Sequence, residues 1–241
     1  MQPKKMNASI LYITVLFILV SVGLVFFLRS GFFSIREVKI NGLINIPEGE
    51  IQKLAGQVLG QNIFLFDQSV LSRRIKFHPL VLDVSFQRKL PSTLIAKITE
   101  RTPSALVLVP KGVIEVDSQG VFLRRLESWP NNDYPVISGV DISESAGPGQ
   151  NISDPALTSV LFMLSQAPGG LLPLIGEVHI NTIQQISLFL TSGVEVRLGK
   201  AEDWQGKLAA LFELLNDESY QSFQSGVRYI DYTAAKPVIG R

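Results

Sequence analysis

The sequence predicts an α+β protein in which a single N-terminal transmembrane helix is followed by two domains. Residues 10–28 form an uncharged, apolar run. Residues 33–103 contain strand and helix patterns in the order β-α-α-β-β. Residues 104–241 contain mostly strand patterns, with two helical ones among them. Residues 1–9 would then be a short cytoplasmic tail.

The apolar run at residues 10–28 has the length and composition of a membrane span. Fifteen of its nineteen residues are Leu, Ile, Val or Phe. As a helix it would be about 28 Å long, close to the ~30 Å thickness of the hydrocarbon core. A cleaved signal peptide is the alternative, with Lys4 and Lys5 as its basic region and Ser21-Val22-Gly23 as a small-x-small site. The run continues to Leu28, which favours a retained anchor.

The orientation of the span is not decided by charge alone. Lys4 and Lys5 lie before it, but Arg29, Arg36 and Lys39 follow closely after it. A short tail before the span and a large region after it are typical of a signal anchor. We therefore expect the N-terminus in the cytoplasm and the main part of the chain outside it.

Composition argues against several classes of protein. The net charge of +1 gives no general attraction for nucleic acid. The absence of cysteine excludes disulfides, thiolate nucleophiles and Cys-ligated zinc. His78 and His179 are far apart in sequence and have no neighbour at metal-ligand spacing. We expect no enzyme activity, no catalytic residue, no cofactor, no metal and no small-molecule substrate.

Apolar spacing defines the elements of the first domain. Residues 33–41 alternate between apolar and polar, as in a strand. Pro47 suits the start of a first helix, which Gly60 ends. Asp67 suits the N-cap of a second helix, which runs to Lys76. The residues expected to face inward are Ile51, Leu54, Ala55 and Val58 in the first helix, and Val70, Leu71 and Ile75 in the second. Two alternating strands follow, with Leu82, Val84 and Phe86 in one and Leu94, Ala96 and Ile98 in the other.

The second domain is predicted to be mainly β. A hairpin is expected at residues 113–126, and Ser153 or Asp154 would cap a helix whose apolar residues are Leu157, Val160, Leu161 and Leu164. A second helix is expected from about Glu202 to Asn216. Further extended segments are expected at residues 134–139, 177–180, 186–190, 194–198 and 227–232. Loops are predicted at 128–133 and, as a mobile one, at 141–151, and residues 236–241 are predicted to be an extended tail.

Motifs in a consistent order relate the chain to a known family. They are Arg88, Pro91, Glu100 and Pro103 around the last hairpin of the first domain, Val116-Asp117 with Gly120-Val121-Phe122, Pro135 with Gly139, Leu198-Gly199 before the Trp204 helix, and Tyr229-Ile230-Asp231. With these motifs the chain resembles the FtsQ/DivIB family of bacterial cell division proteins over nearly its whole length. That family has a short cytoplasmic tail, one span, a POTRA domain and a β-rich domain.

The resemblance implies a function that the residues alone do not. It implies a bitopic scaffold of the divisome, located in the inner membrane at the division site. Its exported part would bind coiled-coil partners of the FtsB and FtsL type and help to control septal peptidoglycan synthesis. In relatives the last strands offer an edge for strand addition, which we place at residues 227–232. The partner-binding residues predicted on this basis are Val227, Tyr229, Ile230, Asp231 and Tyr232.

The tail departs from the family pattern, and other functions compete with this one. Relatives often have an aromatic or basic residue just after the Asp and an aromatic residue near the end of the tail, whereas this chain has Thr233-Ala234-Ala235 and Arg241. Pro237 also removes a backbone donor, so individual side-chain anchors are not carried over. POTRA modules also occur in outer-membrane assembly and secretion components, but the chain has no set of ~10-residue amphipathic strands for a barrel. An anchored envelope hydrolase would need a nucleophile with a base, which the sequence does not indicate.

Overall fold

The computed structural model describes residues 8–129, 134–143, 145–200, 203–234 and 236–241. The chain divides into two compact units between Glu100 and Arg101. The architecture is the predicted α+β one, with an N-terminal apolar helix, a POTRA domain and a β-rich domain that carries helices. The predicted loops at 128–133 and 141–151 lie partly outside the described residues. The mobility of the second loop stays a prediction.

The N-terminal helix α1 is Ala8–Leu28. Within it, Ser9–Leu28 is long and apolar enough to cross a membrane, as predicted. The hydroxyl of Thr14 donates a hydrogen bond to the Ile10 carbonyl oxygen at 2.9 Å. The hydroxyl of Thr14 is therefore satisfied within the helix, which suits a lipid environment.

The first domain has the predicted β-α-α-β-β order. Its elements are β1 (Glu37–Asn41), α2 (Glu48–Ala55), α3 (Gln68–Ile75), β2 (Val81–Lys89) and β3 (Thr93–Glu100). The strand order in the sheet is β1-β3-β2, with β1 parallel and β2 antiparallel to β3. The core includes Ile51, Ala55, Leu71, Ile75, Leu94, Ala96 and Ile98.

The second helix of this domain confirms one prediction and corrects another. The carboxylate of Asp67 caps α3, because it accepts hydrogen bonds from the backbone N–H groups of Ser69 (2.8 Å) and Val70 (3.3 Å). Val70, which was expected to face inward, is exposed. It lies next to the cap in the first turn, while the buried stripe of the helix runs through Leu71 and Ile75.

The described residues of the second domain form a nine-stranded sheet and three α-helices. Its elements are β4 (Pro103–Val109), β5 (Gly112–Asp117), β6 (Phe122–Leu126), β7 (Val136–Ser138), α4 (Pro155–Gln166), β8 (Ile175–Ile180), β9 (Ile186–Leu190), β10 (Glu195–Gly199), α5 (Trp204–Asn216), α6 (Glu218–Phe223), β11 (Tyr229–Asp231) and β12 (Val238–Gly240). The strand order is β12-β11-β10-β9-β8-β7-β4-β5-β6. One face of this sheet packs against the helices to form the core.

Three elements of the second domain were missed by the sequence analysis. Strand β4 begins at Pro103, which was assigned to the end of the first domain. Helix α6 makes the number of helices three rather than two, and the carboxylate of Asp217 caps it through the N–H groups of Ser219 (2.8 Å) and Tyr220 (3.1 Å). Strand β12 lies in the segment that was predicted to be an extended tail. The inward positions expected for α4 are confirmed as buried.

Candidate partner-binding site

The strand predicted as the edge of the sheet is an internal strand, so that prediction is wrong. Strand β11 pairs in parallel with β10 on one side and antiparallel with β12 on the other. Strand β12 ends the sheet, because no strand lies beyond it among the described residues. An edge strand presents backbone N–H and C=O groups that can pair with another chain. At this end of the sheet the edge available for strand addition is therefore β12, and the opposite edge is β6.

The five residues predicted to bind a partner fall into two sets. Val227, Ile230 and Tyr232 are buried in the core of the second domain. Tyr229 and Asp231 point to the opposite face of the sheet and are partly exposed. Burial raises the pKa of the Tyr232 hydroxyl. The inward set can hold β11 in place, and only the outward set can meet a partner in the folded protein.

Strand β12 is attached to the domain through both its backbone and its side chains. The Arg228 N–H donates to the Gly240 carbonyl oxygen at 2.9 Å, and Ile239 packs against the core. The Arg241 guanidinium lies over the Phe223 ring, 5.2 Å from its centroid. Val238, by contrast, is exposed. The strand is thus held on its inner side, while its outer side remains accessible.

The outer face beside β12 carries an ordered group of charged and aromatic side chains. Arg197 pairs with Glu195 through two hydrogen bonds, at 3.1 and 2.9 Å, and its guanidinium lies 4.5 Å from the centroid of the Tyr229 ring. The Arg197 hydrogen bond lowers the pKa of Glu195. The hydroxyl of Thr233 (2.6 Å) and its N–H (2.8 Å) donate to Asp231 and lower the pKa of that carboxyl. Both carboxylates are therefore charged at neutral pH.

The residues of the first-domain motif are structural within their own unit. The Arg88 guanidinium donates to the Ile63 carbonyl oxygen at 2.7 Å and lies 5.4 Å from the centroid of the Phe66 ring. Pro91 lies between β2 and β3 and follows a cis peptide bond. Pro103 lies in the second unit and pairs there with Asp117, where β4 meets β5. None of these contacts involves a reactive group.

Glu100 organises the loop that follows β1. Its carboxylate accepts hydrogen bonds from the backbone N–H groups of Ile44 (2.8 Å), Asn45 (2.9 Å) and Ile46 (3.0 Å). Partial burial opposes the charged form of Glu100, but the backbone donors outweigh it, and the pKa of the carboxyl lies below its usual range. This motif residue therefore fixes the backbone at the end of the first sheet.

One polar cluster was not foreseen from the sequence. The Ser138 hydroxyl donates to Glu177 at 2.5 Å and lies 2.8 Å from Nδ1 of His179. Parallel pairing of β7 with β8 brings these distant residues together. Ser138 is buried and its proton is directed at Glu177, so the arrangement differs from a serine nucleophile activated by histidine. The cluster satisfies polar groups on the sheet.

The described residues contain no set of three His, Cys, Asp or Glu side chains able to hold a metal ion. The other histidine, His78, lies 2.9 Å through its Nε2 from a carboxylate oxygen of Glu50 in the first domain. A pair of this kind joins a helix to a neighbouring turn. It offers one nitrogen and one oxygen ligand, fewer than a metal site requires.

Comparison with known proteins gives concordant results across the chain. The sequence model of the FtsQ-type POTRA domain matches residues 33–101, and that of the cell division protein FtsQ/DivIB C-terminal domain matches residues 105–232. Strand β12 lies beyond the second match. The resemblance inferred from the motifs is therefore confirmed.

Individual relatives are similar over most of their length. Cell division protein FtsQ of Anaeromyxobacter sp. (strain K) is 26% identical over 206 residues, which cover 84% of this chain and 69% of that protein. Cell division protein DivIB of Clostridium botulinum (strain Loch Maree / Type A3) is 23% identical over 232 residues, covering 95% and 90%. A solved structure, the major extracytoplasmic domain of DivIB from Geobacillus stearothermophilus, is 19% identical, covers 46% of this chain and 87% of that one, and has a TM-score of 0.34.

Proposed function

This chain belongs to the FtsQ/DivIB family of cell division proteins, and from that premise we propose that it is a divisome scaffold that binds its partners by strand addition at β12. A role in cell division and a single-pass attachment to the membrane follow from the family and from α1. The partners proposed are coiled-coil division proteins of the FtsB and FtsL type. Through them the protein would help to control septal peptidoglycan synthesis.

The observation that carries this proposal is the accessible outer side of β12. A partner strand would gain backbone hydrogen bonds there, and alternating side chains would supply specificity. Tyr229 and Arg197 lie on the adjacent outer face and could contact such a strand. Because a membrane anchor confines the protein and its partners to one surface, a short added strand can suffice for binding.

We further propose that the N-terminus is cytoplasmic and that both domains lie outside the cytoplasm. The short lysine-containing tail before α1 supports this orientation. A fluorescent fusion to the full chain should form a midcell band in dividing cells. A uniform envelope signal would contradict placement at the division site.

The partner-binding site is tested by one backbone change with a matched control. Val238→Pro removes a backbone N–H and fixes φ, so it disrupts strand pairing. Val238→Thr keeps the β-branched shape and the N–H. After affinity purification of the full chain from solubilised membranes, Val238→Pro should lose most of the coiled-coil partner and Val238→Thr should retain it. If a folded Val238→Pro protein recovers as much partner as Val238→Thr does, β12 is not the binding site.

A further inference from the structure

An aromatic cluster continues from the last turn of α1 into the first domain. The Phe27 ring lies 5.7 Å from that of Phe32 and 5.2 Å from that of Phe33, measured between centroids. Phe33 in turn lies 5.1 Å from Phe64. Phe33 is buried at the centre of the group. The cluster thus connects the end of the membrane span to the loop that precedes α3.

Hydrogen bonds to backbone carbonyl groups hold that loop close to the end of the span. The side-chain amide of Asn62 donates to the Leu28 carbonyl oxygen at 2.8 Å. The Ile63 N–H donates to the Phe33 carbonyl oxygen at 2.8 Å, and the Ile35 N–H donates to the Gln61 carbonyl oxygen at 2.8 Å. Because these bonds attach the loop at several points, its distance from the end of α1 is fixed.

Apolar side chains next to these bonds are exposed to the surroundings. The exposed fraction is 52% for Phe32, 39% for Phe64 and 62% for Leu65. Two arginines, Arg29 and Arg36, lie in the segment after α1, and the carboxylates of Glu37 and Asp67 directly follow residues 29–36 and 59–66. The surface around the end of α1 is therefore apolar, with charged groups beside it.

The length of α1 sets the depth of this surface. The twenty residues Ser9–Leu28 extend about 30 Å at 1.5 Å per residue, which matches the hydrocarbon core. Leu28 then lies at the boundary with the headgroups, and a side chain bonded to its carbonyl lies in the headgroup layer. Aromatic side chains are favoured in that layer, and arginines there can pair with phosphate groups.

We propose that the lipid bilayer that holds α1 also covers Phe32, Phe64 and Leu65, which together form a membrane-embedded collar. The collar is continuous with the span, and this continuity identifies the bilayer as its occupant. It would add apolar burial to the anchor and fix one end of the first domain against the membrane. The inference depends on α1 spanning the membrane but is independent of the partner proposed for β12.

The test uses the natural absence of cysteine, which allows a single spin label at a chosen site. Leu65→Cys places the label in the collar. Ile44→Cys is the matched control, because Ile44 is an apolar residue with 85% exposure. It lies beyond the far end of β1, whose five residues advance about 16 Å from the end that follows α1.

The full chain with either label is reconstituted in vesicles of phosphatidylcholine and phosphatidylglycerol. Collision with oxygen, which concentrates in lipid, is compared with collision with a water-soluble nickel chelate. The ratio of oxygen to nickel accessibility should be several-fold higher at position 65 than at position 44. Equal ratios at positions 65 and 44 would show that the collar is exposed to water. Shielding of position 65 from both reagents would show that protein covers the collar. Either result overturns the proposal.

Discussion

The ring of Tyr229 lies against Gly240 in the space that a Cβ atom at position 240 would occupy. The two residues face each other in the pairing of β11 with β12. Absence of a side chain at Gly240 leaves room for the ring over the edge strand, and the guanidinium of Arg197, from β10, stacks on that ring. The position of Tyr229 on the outer face therefore depends on the glycine in the neighbouring strand.

We predict that Gly240→Ala weakens both β12 and partner binding. The added methyl group collides with the ring, so either the ring rotates away from Arg197 or β12 moves, at a cost of about 1–3 kcal/mol. Gly226→Ala is the control, because a Cβ there meets no atom within 4 Å. Partner affinity measured with the full chain should fall for Gly240→Ala and not for Gly226→Ala. Adding Tyr229→Ala to Gly240→Ala should relieve the collision, so the double variant should recover the stability that Gly240→Ala loses. A double variant that is no more stable than Gly240→Ala would contradict the collision.

A second prediction concerns the contact between Arg197 and Tyr229. The guanidinium stacks on the ring and also pairs with Glu195, so replacing both Arg197 and Tyr229 should cost less stability than the two single changes added together. Arg197→Gln, Tyr229→Leu and the double variant are compared by thermal unfolding. Strict additivity would show that the stacking contributes nothing. High salt should weaken the pair with Glu195, because it is partly exposed.

The third prediction is a pH dependence that arises from Glu100. Its pKa is lower in the folded protein than in the unfolded chain, so its stabilising effect is present above the unfolded value of about 4.3 and is lost as the pH falls through the folded value. Glu100→Gln should reduce stability at pH 7 by about 1 kcal/mol, allowing for solvent around the loop. The melting temperatures of the wild type and Glu100→Gln should approach each other as the pH falls below the unfolded value of about 4.3.

The control for this pH dependence is Glu213→Gln, since Glu213 is exposed on α5. It should leave the melting temperature nearly unchanged at every pH. A difference between wild type and Glu100→Gln that persists in full at pH 3 would contradict the role assigned to the charged carboxylate.

The fourth prediction distinguishes a scaffold function from a hydrolase activity. Ser138→Ala removes the hydroxyl between Glu177 and His179 and should cost about 1–2 kcal/mol of stability, because buried polar groups lose a partner. Cells carrying this variant should still divide when the protein accumulates normally. A folded Ser138→Ala protein that binds its partner but fails to support division would favour a chemical role for the cluster.

Local signals in the sequence were read correctly. Asp67 and Asp154 precede apolar helical spacing, and each caps the helix expected there. These features depend on a few neighbouring residues, so the chain alone reveals them. Val70 was misassigned because its position in the first turn, beside the cap, places it outside the buried stripe of a short helix.

Features that depend on distant pairing were missed. Strand β12 has three residues, follows Pro237 and is defined by its pairing with β11, so its own sequence carries little signal. The same holds for Ser138 and His179, which adjacent parallel strands bring together. The predicted edge at residues 227–232 was wrong for this reason. Which strand forms the edge depends on the pairing of all strands in the sheet, and the sequence of one strand does not reveal it.

The most direct test of the account is amide hydrogen exchange at Val238–Gly240 in the full chain, reconstituted in nanodiscs with and without its coiled-coil partner. Strand addition would give the outward N–H groups of β12 a hydrogen-bond acceptor, so exchange there should slow markedly on binding, while exchange at the buried residues of helix α4 stays the same. Unchanged exchange at residues 238–240 in a complex that has demonstrably formed would contradict binding at this edge.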